Sequence, residues 1–460
     1  MSLNRRQFLS HSCAMGVASA TLSSSLLQLG LARNLAAQSA DDYRALVCVL
    51  LAGGNDSYNM LVPLDMDHHA RYAALRSDLA LDRSSLLPLA GSADDGRRYG
   101  LHPGMSALQT LFAQGDAALL SNVGTLIEPF DPVAVDNGNA RTPLGLFSHA
   151  DQIAQWQTAI YDDRVAQGWG GRAADLLQGV NVANGISMNI SLSGNNIFQS
   201  GNDVAEYAVE ADGDGAVGIN GYDDGTQFGE YRKATIDALL AVEQPNILRR
   251  EYRNRLFGAI EAQQVFSAAL ATAPGIASPF SEDYFAQSLR QIARIIAVRD
   301  TLGVKRQTFF ITVGGWDHHD EVLQNQAAML PQISGGLLQF RNALQELGVA
   351  DQVTTFTTSD FGRTLTSNGK GSDHGWGGHH VIMGGAVNGG YFGAYPDIRP
   401  GNPLDVGRGI YAPTTSVDEY FAELALWFGV PRSQLATVLP GVGRFYAPSS
   451  TRMPLGFMRV

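Results

Sequence analysis

Three times in this chain an apolar or β-branched run of strand length ends in a tight turn that carries an aspartate. "ALVCVLLAGGND" ends in Asp56, "TFFITVGGWDHHD" runs through Asp317, and "VTTFTTSDFGR" runs through Asp360. The runs are apolar or β-branched at successive positions, not alternate ones, which suits strands covered on both faces, as in a parallel sheet. Parallel neighbours need a crossover long enough for a helix. The segments between the runs supply one each time. Phe285, Leu289, Ile292 and Ile296 recur at helical spacing, as do Leu330, Ile333, Leu337, Phe340, Leu344 and Leu347. The pattern predicts an α/β fold with a largely parallel central sheet and helices on both faces.

In open sheets of this kind, ligands gather beyond the carboxyl ends of the strands. Asp56, Asp317 and Asp360 each sit just past such an end, so all three are expected to aim at one crevice. A single aspartate there is an ordinary turn former or helix cap. Three in the same context, two of them near histidines, point to a site. Five of the ten histidines fall between positions 318 and 380: His318, His319, His374, His379 and His380. Imidazole and carboxylate together suit Zn²⁺, Mn²⁺ or Fe. The neighbours His318 and His319 point different ways, so one of them is expected to ligate. His379 and His380 enter the strand-like "HHVIMGG" and should face opposite sides of a sheet.

A nucleophile is offered by "RTPLGLFSHADQIAQWQ". Ser148 precedes a helical segment and Asp151 follows three residues later, in the manner of a capping box. Backbone N–H groups and the dipole at a helix start favour an anion. An ordinary N-cap serine has the same spacing, and Ser57, beside Asp56, is a second candidate, so spacing alone does not choose.

The chain has 460 residues, 45% of them hydrophobic, enough for a large core. With no fixed-period repeat and no proline-rich linker, residues 41 to 460 are expected to form one domain. The formal charge is -12, and it becomes -15 without the first 40 residues, which hold Arg5, Arg6 and Arg33 and no acid. An acidic chain of this kind argues against a nucleic-acid partner. "MSLNRRQFLS" followed by the uncharged "CAMGVASATLSSSLLQLGLA" reads as a signal peptide over residues 1 to 40. Its arginine pair implies the twin-arginine export machinery as a partner and a periplasmic or secreted protein. No later stretch offers the roughly 18 uninterrupted apolar residues of a membrane span. Cys48 reads as a small buried side chain. Residues 195 to about 230, rich in Gly, Asp and Asn, read as a surface insertion, within which "DGDGAVGINGYDDG" lacks EF-hand spacing and is expected to be a solvated turn. "EYRNRLFGAIEAQQVFSAALA" reads as a helix packing onto the core.

"LLAGGNDSYNMLVP", "LFSHADQ", "GGWDHHDEV", "TSDFGRT" and "SDHGWGGHHVIMGG", in that order from about residue 45 to 395, resemble the landmarks of a bacterial family of unknown function with twin-arginine signals. That family in turn resembles the alkaline phosphatase and sulfatase superfamily. The resemblance implies an alkaline-phosphatase-like fold in which Asp56, Asp317, His319, Asp360 and His374 hold one or two divalent ions, Zn or Mn. It implies that Ser148 is the nucleophile, and Arg363, directly after "DFG", could grip an anionic substrate. In many superfamily members the aspartate matching Asp360 is followed by histidine, whereas this chain has Phe361. A second ion then depends on His374, His379 or His380. The implied activity is hydrolysis of phosphate or sulfate esters, on small molecules or polymers. The alternative is an exported binding or assembly protein that keeps the fold without turnover.

Overall fold

The computed structural model describes residues 42–181, 186–211, 215, 218–219, 222 and 224–459. The expected signal peptide and most of the expected solvated turn lie outside the described residues. Nine strands form the central sheet: β1 (Arg44–Leu51), β2 (Ala117–Gly124), β3 (Asn189–Ser191), β4 (Tyr207–Ala208), β5 (Arg306–Val313), β6 (Val353–Ser359), β7 (Gly378–Met383), β8 (Gly390–Gly393) and β9 (Thr415–Ser416). Their order is β8-β2-β7-β6-β1-β5-β3-β4, with β9 also pairing with β2. The three sequence runs are β1, β5 and β6, and they lie side by side at the centre, all parallel. Leu51 is level with Val313 on one side and Ser359 on the other, so the three carboxyl ends open at the same height.

Among the described strands of this sheet, only β7 runs antiparallel to its neighbours. The chain leaves β6 at Ser359 and returns at Gly378 through a hairpin of Arg363–Ser367 and Ser372–His374. No crossover helix intervenes, and without one the chain can only come back in the opposite direction.

Alternation along β1 splits the core in two. Ala45, Val47, Val49 and Leu51 join one apolar cluster with Leu289, Ile292, Leu337 and Phe340. Leu46, Cys48 and Leu50 join another, on the opposite face, with Trp169, Phe421 and Phe428. The helices Tyr284–Ala297 and Val322–Glu346 cover the first face, as their periodicity predicts. The helices Trp169–Leu177 and Val417–Phe428 cover the second. Phe356 of β6 is fully buried within the second cluster, and truncating it to alanine should cost about 3–5 kcal/mol.

Two segments depart from the sequence reading. The Gly/Asp-rich stretch is anchored at its start: Phe198 packs on Trp169, and Gln199 is buried, bonding Ile190 and Thr308. Tyr207–Ala208 then adds an edge strand to the sheet. The helix expected to pack on the core spans Ile247–Leu270, but its buried residues begin at Ile260. Among the described residues, no helix is long and apolar enough to cross a membrane.

Candidate functional site

The turn after β1 shows why a glycine pair stands there. Gly53 has φ +121°, and a Cβ on it would lie 2.4 Å from the backbone nitrogen of Asp317. Gly54 has φ +85°, and a Cβ there would meet the Phe361 ring at 2.6 Å. Only glycine lets the three strand-end loops approach so closely.

Around this junction three histidines converge on Asp317. His149 opens the helix His149–Thr158, for which Ser148 is the N-cap, after a left-handed Phe147 (φ 75°). His149 Nε2 lies 3.5 Å from Asp317 Oδ2. His319 Nε2 and His374 Nε2 lie 3.1 Å and 3.6 Å from Asp317 Oδ1, and 3.0 Å from each other. Each ring's other nitrogen meets an oxygen. His149 Nδ1 is 2.6 Å from Asp360 Oδ2, His319 Nδ1 is 3.3 Å from Asp373 Oδ1, and His374 Nδ1 is 2.8 Å from the Phe147 carbonyl.

A carbonyl or carboxylate oxygen can only accept. In the neutral rings, Nδ1 therefore carries the proton and Nε2 a bare lone pair. In that state the Nε2 lone pairs of His149, His319 and His374 each lie beside Asp317, and no hydrogen bridges the His319 and His374 nitrogens 3.0 Å apart. Ligand atoms around a tetrahedral ion with bonds of about 2.0–2.2 Å would be separated by about 3.3–3.6 Å, close to the 3.5, 3.1 and 3.6 Å from Asp317 to His149, His319 and His374. His149, Asp317 and His374 offer ligand atoms that all lie within 4.8 Å of one another. Carboxylate or carbonyl oxygens behind the imidazoles are the usual supports of a metal-bound histidine. The residues fit a divalent ion.

Charge is arranged to match. Burial lowers the pKa of His374, and the nearby Arg363 guanidinium acts in the same direction, keeping the ring neutral. Burial alone would raise the carboxyl of Asp317, but its bond to Arg363 more than offsets this and holds it below the usual range. Asp317 and His319 have side chains 46% and 47% exposed, so the cluster opens to solvent.

The expected residues are distributed unevenly about this centre. Asp317, His319 and His374 come together. Asp360 joins through His149, its other oxygen accepting from the Gly53 N–H at 3.0 Å. Asp56 is not among them: it is fully buried, 2.5 Å from Arg76 Nη2 and 2.6 Å from the Ser372 hydroxyl. Arg363 is also buried, and it donates to the carbonyls of Gly54, Ser372 and Gly53 and to Asp317. Its guanidinium braces the loops from within. Ser148 caps its helix, accepting from the Asp151 N–H at 3.5 Å. Ser57 is buried and accepts from the His379 N–H at 2.8 Å. His379 and His380 lie on opposite faces of β7, against Tyr395 and Trp156 respectively, and burial lowers the pKa of both to about 3.

His149 was not singled out from the sequence. Its one signal was the position after the helix cap. Phe361, standing where histidine is common, packs its ring on His149 and His374 with centroids 4.9 Å and 4.4 Å away. The imidazole beside Asp360 thus comes from a different loop.

A family model described as protein of unknown function, DUF1501, matches residues 43–436. The chain belongs to that family. No curated protein matches the chain. Among solved structures, it is similar to Ps i-CgsB in complex with k-i-k-neocarrahexaose, at 11% identity and a TM-score of 0.33 over 85% of this chain and 72% of that one. A sulfatase from Pseudoalteromonas sp. gives 11% and 0.31, covering 87% and 71%. The lipooligosaccharide phosphoethanolamine transferase A of Neisseria meningitidis gives 10% and 0.33, covering 85% and 55%. At that distance their activities say nothing of this chain.

Proposed function

We propose that this family member is an exported, metal-dependent hydrolase of phosphate or sulfate esters, with His149, Asp317, His319 and His374 holding the ion. The observation that carries the reading is the orientation of the three imidazoles: each Nδ1 is committed to an oxygen, so each Nε2 lone pair is turned toward Asp317. Three nitrogens and a carboxylate favour Zn²⁺, with Mn²⁺ next. When bound, such an ion supplies positive charge that promotes ionisation of a nearby hydroxyl and offsets charge on the ester's non-bridging oxygens.

The chain's own groups divide the remaining work. Asp360 and Asp373 fix the rings of His149 and His319, and Arg363 holds Asp317 in place. Ser148 is the proposed nucleophile. Its cap bond at 3.5 Å is long, which leaves the hydroxyl's lone pairs little engaged. The free N–H groups and dipole of the helix it begins would favour the anionic group of an ester.

Elemental analysis of protein purified without chelator should find at least one divalent metal per chain, and His149→Ala should reduce it. Screening aryl phosphates and sulfates with Zn²⁺ and Mn²⁺ supplied in turn then tests turnover. Metal without turnover on any ester would favour a binding or assembly protein, and no metal in either protein would end the reading.

A further inference from the structure

Among the described residues, nine of the fifteen exposed large hydrophobic side chains fall between Phe228 and Val265. Eight of them lie on the helices Gln227–Ala241 and Ile247–Leu270, and Val242 follows directly after the first. From residue 230 to residue 259 no described residue is buried, so the first helix and the second up to residue 259 form an arm outside both apolar clusters, while Phe266, Ala269 and Leu270 root the second helix in the core. Between the two helices is a groove of about 560 Å³, lined by Ile236, Leu239, Leu240, Leu248, Tyr252 and Leu256. Leu248 and Tyr252 are 77% and 70% exposed.

The second helix is also basic. Ile247–Leu256 contains four arginines, Arg249, Arg250, Arg253 and Arg255, against the single acid Glu251, in a chain whose formal charge is -12. Leu248, Tyr252 and Leu256 are spaced by four and form one stripe. Arg249 and Arg253 lie along one side of it and line the groove, and Arg255 lies along the other.

We propose that this arm rests on the surface of an anionic phospholipid bilayer, with the Leu248–Tyr252–Leu256 stripe in the acyl boundary and the arginines among the headgroups. An apolar stripe flanked by arginine is the pattern of a helix lying in a membrane interface. Long arginine stems can cross the boundary while their guanidinium groups stay with phosphate. A second copy of the chain fits less well. A two-fold contact would set the same arginines against each other, whereas a bilayer supplies both an apolar layer and opposite charge. The inference is independent of the reaction assigned to the metal centre.

Flotation of the full chain with phosphatidylglycerol–phosphatidylcholine vesicles, and with phosphatidylcholine alone, tests it. The parent should float with the anionic vesicles, and added salt should release it. Arg249→Gln with Arg253→Gln should weaken binding by on the order of tenfold or more, at about 1 kcal/mol per charge. Leu248→Ser with Tyr252→Ser should abolish it. All four side chains lie on the exposed arm, so both double variants should melt as the parent does, and either one alone suffices as a test. Every protein in the comparison carries the same N-terminal apolar segment, so equal flotation of variants and parent would overturn the proposal. So would a parent that stays unbound, or one that sediments as a dimer dispersed by Leu248→Ser with Tyr252→Ser.

Discussion

The carboxylate of Asp360 stands 2.6 Å from Nδ1 of His149, joining a strand end to a helix start 211 residues away in sequence. This contact sets the ring's tautomer and aims its Nε2 at Asp317. Replacing Asp360 with Asn should lower Zn²⁺ affinity by about 10–100-fold, the usual effect of losing such a supporting carboxylate. Competition against a chromophoric chelator measures it, and an unchanged affinity would disconnect Asp360 from the centre.

Ser148→Ala should keep the metal and lose nearly all ester turnover, since it removes the attacking hydroxyl and no ligand. The lost cap should cost about 0.5–2 kcal/mol, so the variant should fold. Ser57→Ala should keep most activity, because that hydroxyl is spent on the His379 N–H. Turnover of Ser148→Ala near the parent rate would move the attack to a water molecule.

Arg76 and Asp56 form an ion pair in which both side chains are 0% exposed. Replacing Arg76 with Met would strand a buried carboxylate, and stability should fall by about 3–5 kcal/mol in denaturant unfolding. Metal content of the folded fraction should be unchanged if Asp56 is structural. Loss of metal without loss of stability would return Asp56 to the ligand set.

Asp418 is fully buried near the start of the helix Val417–Phe428, and burial raises its carboxyl from the usual 3.8 to about 7. Because the folded value exceeds the unfolded one, its contribution to stability is fully present below about 3.8 and is lost as pH rises through about 7. Asp418→Asn should therefore melt higher than the parent above pH 7 and show little of that gain in acid. Parallel melting curves at both extremes would refute it.

Much of the architecture was legible in the sequence because it rests on local pattern. Successive apolar positions marked β1, β5 and β6 as buried parallel strands, and helical spacing marked the two helices that cover one face. The site was legible only where its residues share a strand end. Asp56 and Asp317 each follow a glycine pair, and although histidines follow only Asp317, nothing near Asp56 marks it as an ion-pair partner. The difference comes from burial: Arg76, 20 residues beyond Asp56, encloses that carboxylate completely, whereas Asp317, also held by an arginine, stays 46% exposed. His149 is the first residue of a helix that does not directly follow a strand, so the strand-end pattern could not reveal it. The Ile247–Leu270 helix was identified as a helix, but which of its turns touch the core depends on where the arm leaves the body.

The imidazoles and their supports come from segments far apart along the chain, His374 lying 227 positions beyond the Phe147 carbonyl that orients it. No fragment ending before His374 contains all three rings, and the loops are level only once β1, β5 and β6 have aligned. Ion capture is therefore a test of completed folding: a chain that is truncated or misregistered has no partial version of this centre to fill. Metal content would then count finished molecules, and it could serve as an assay of folding yield before any substrate is known.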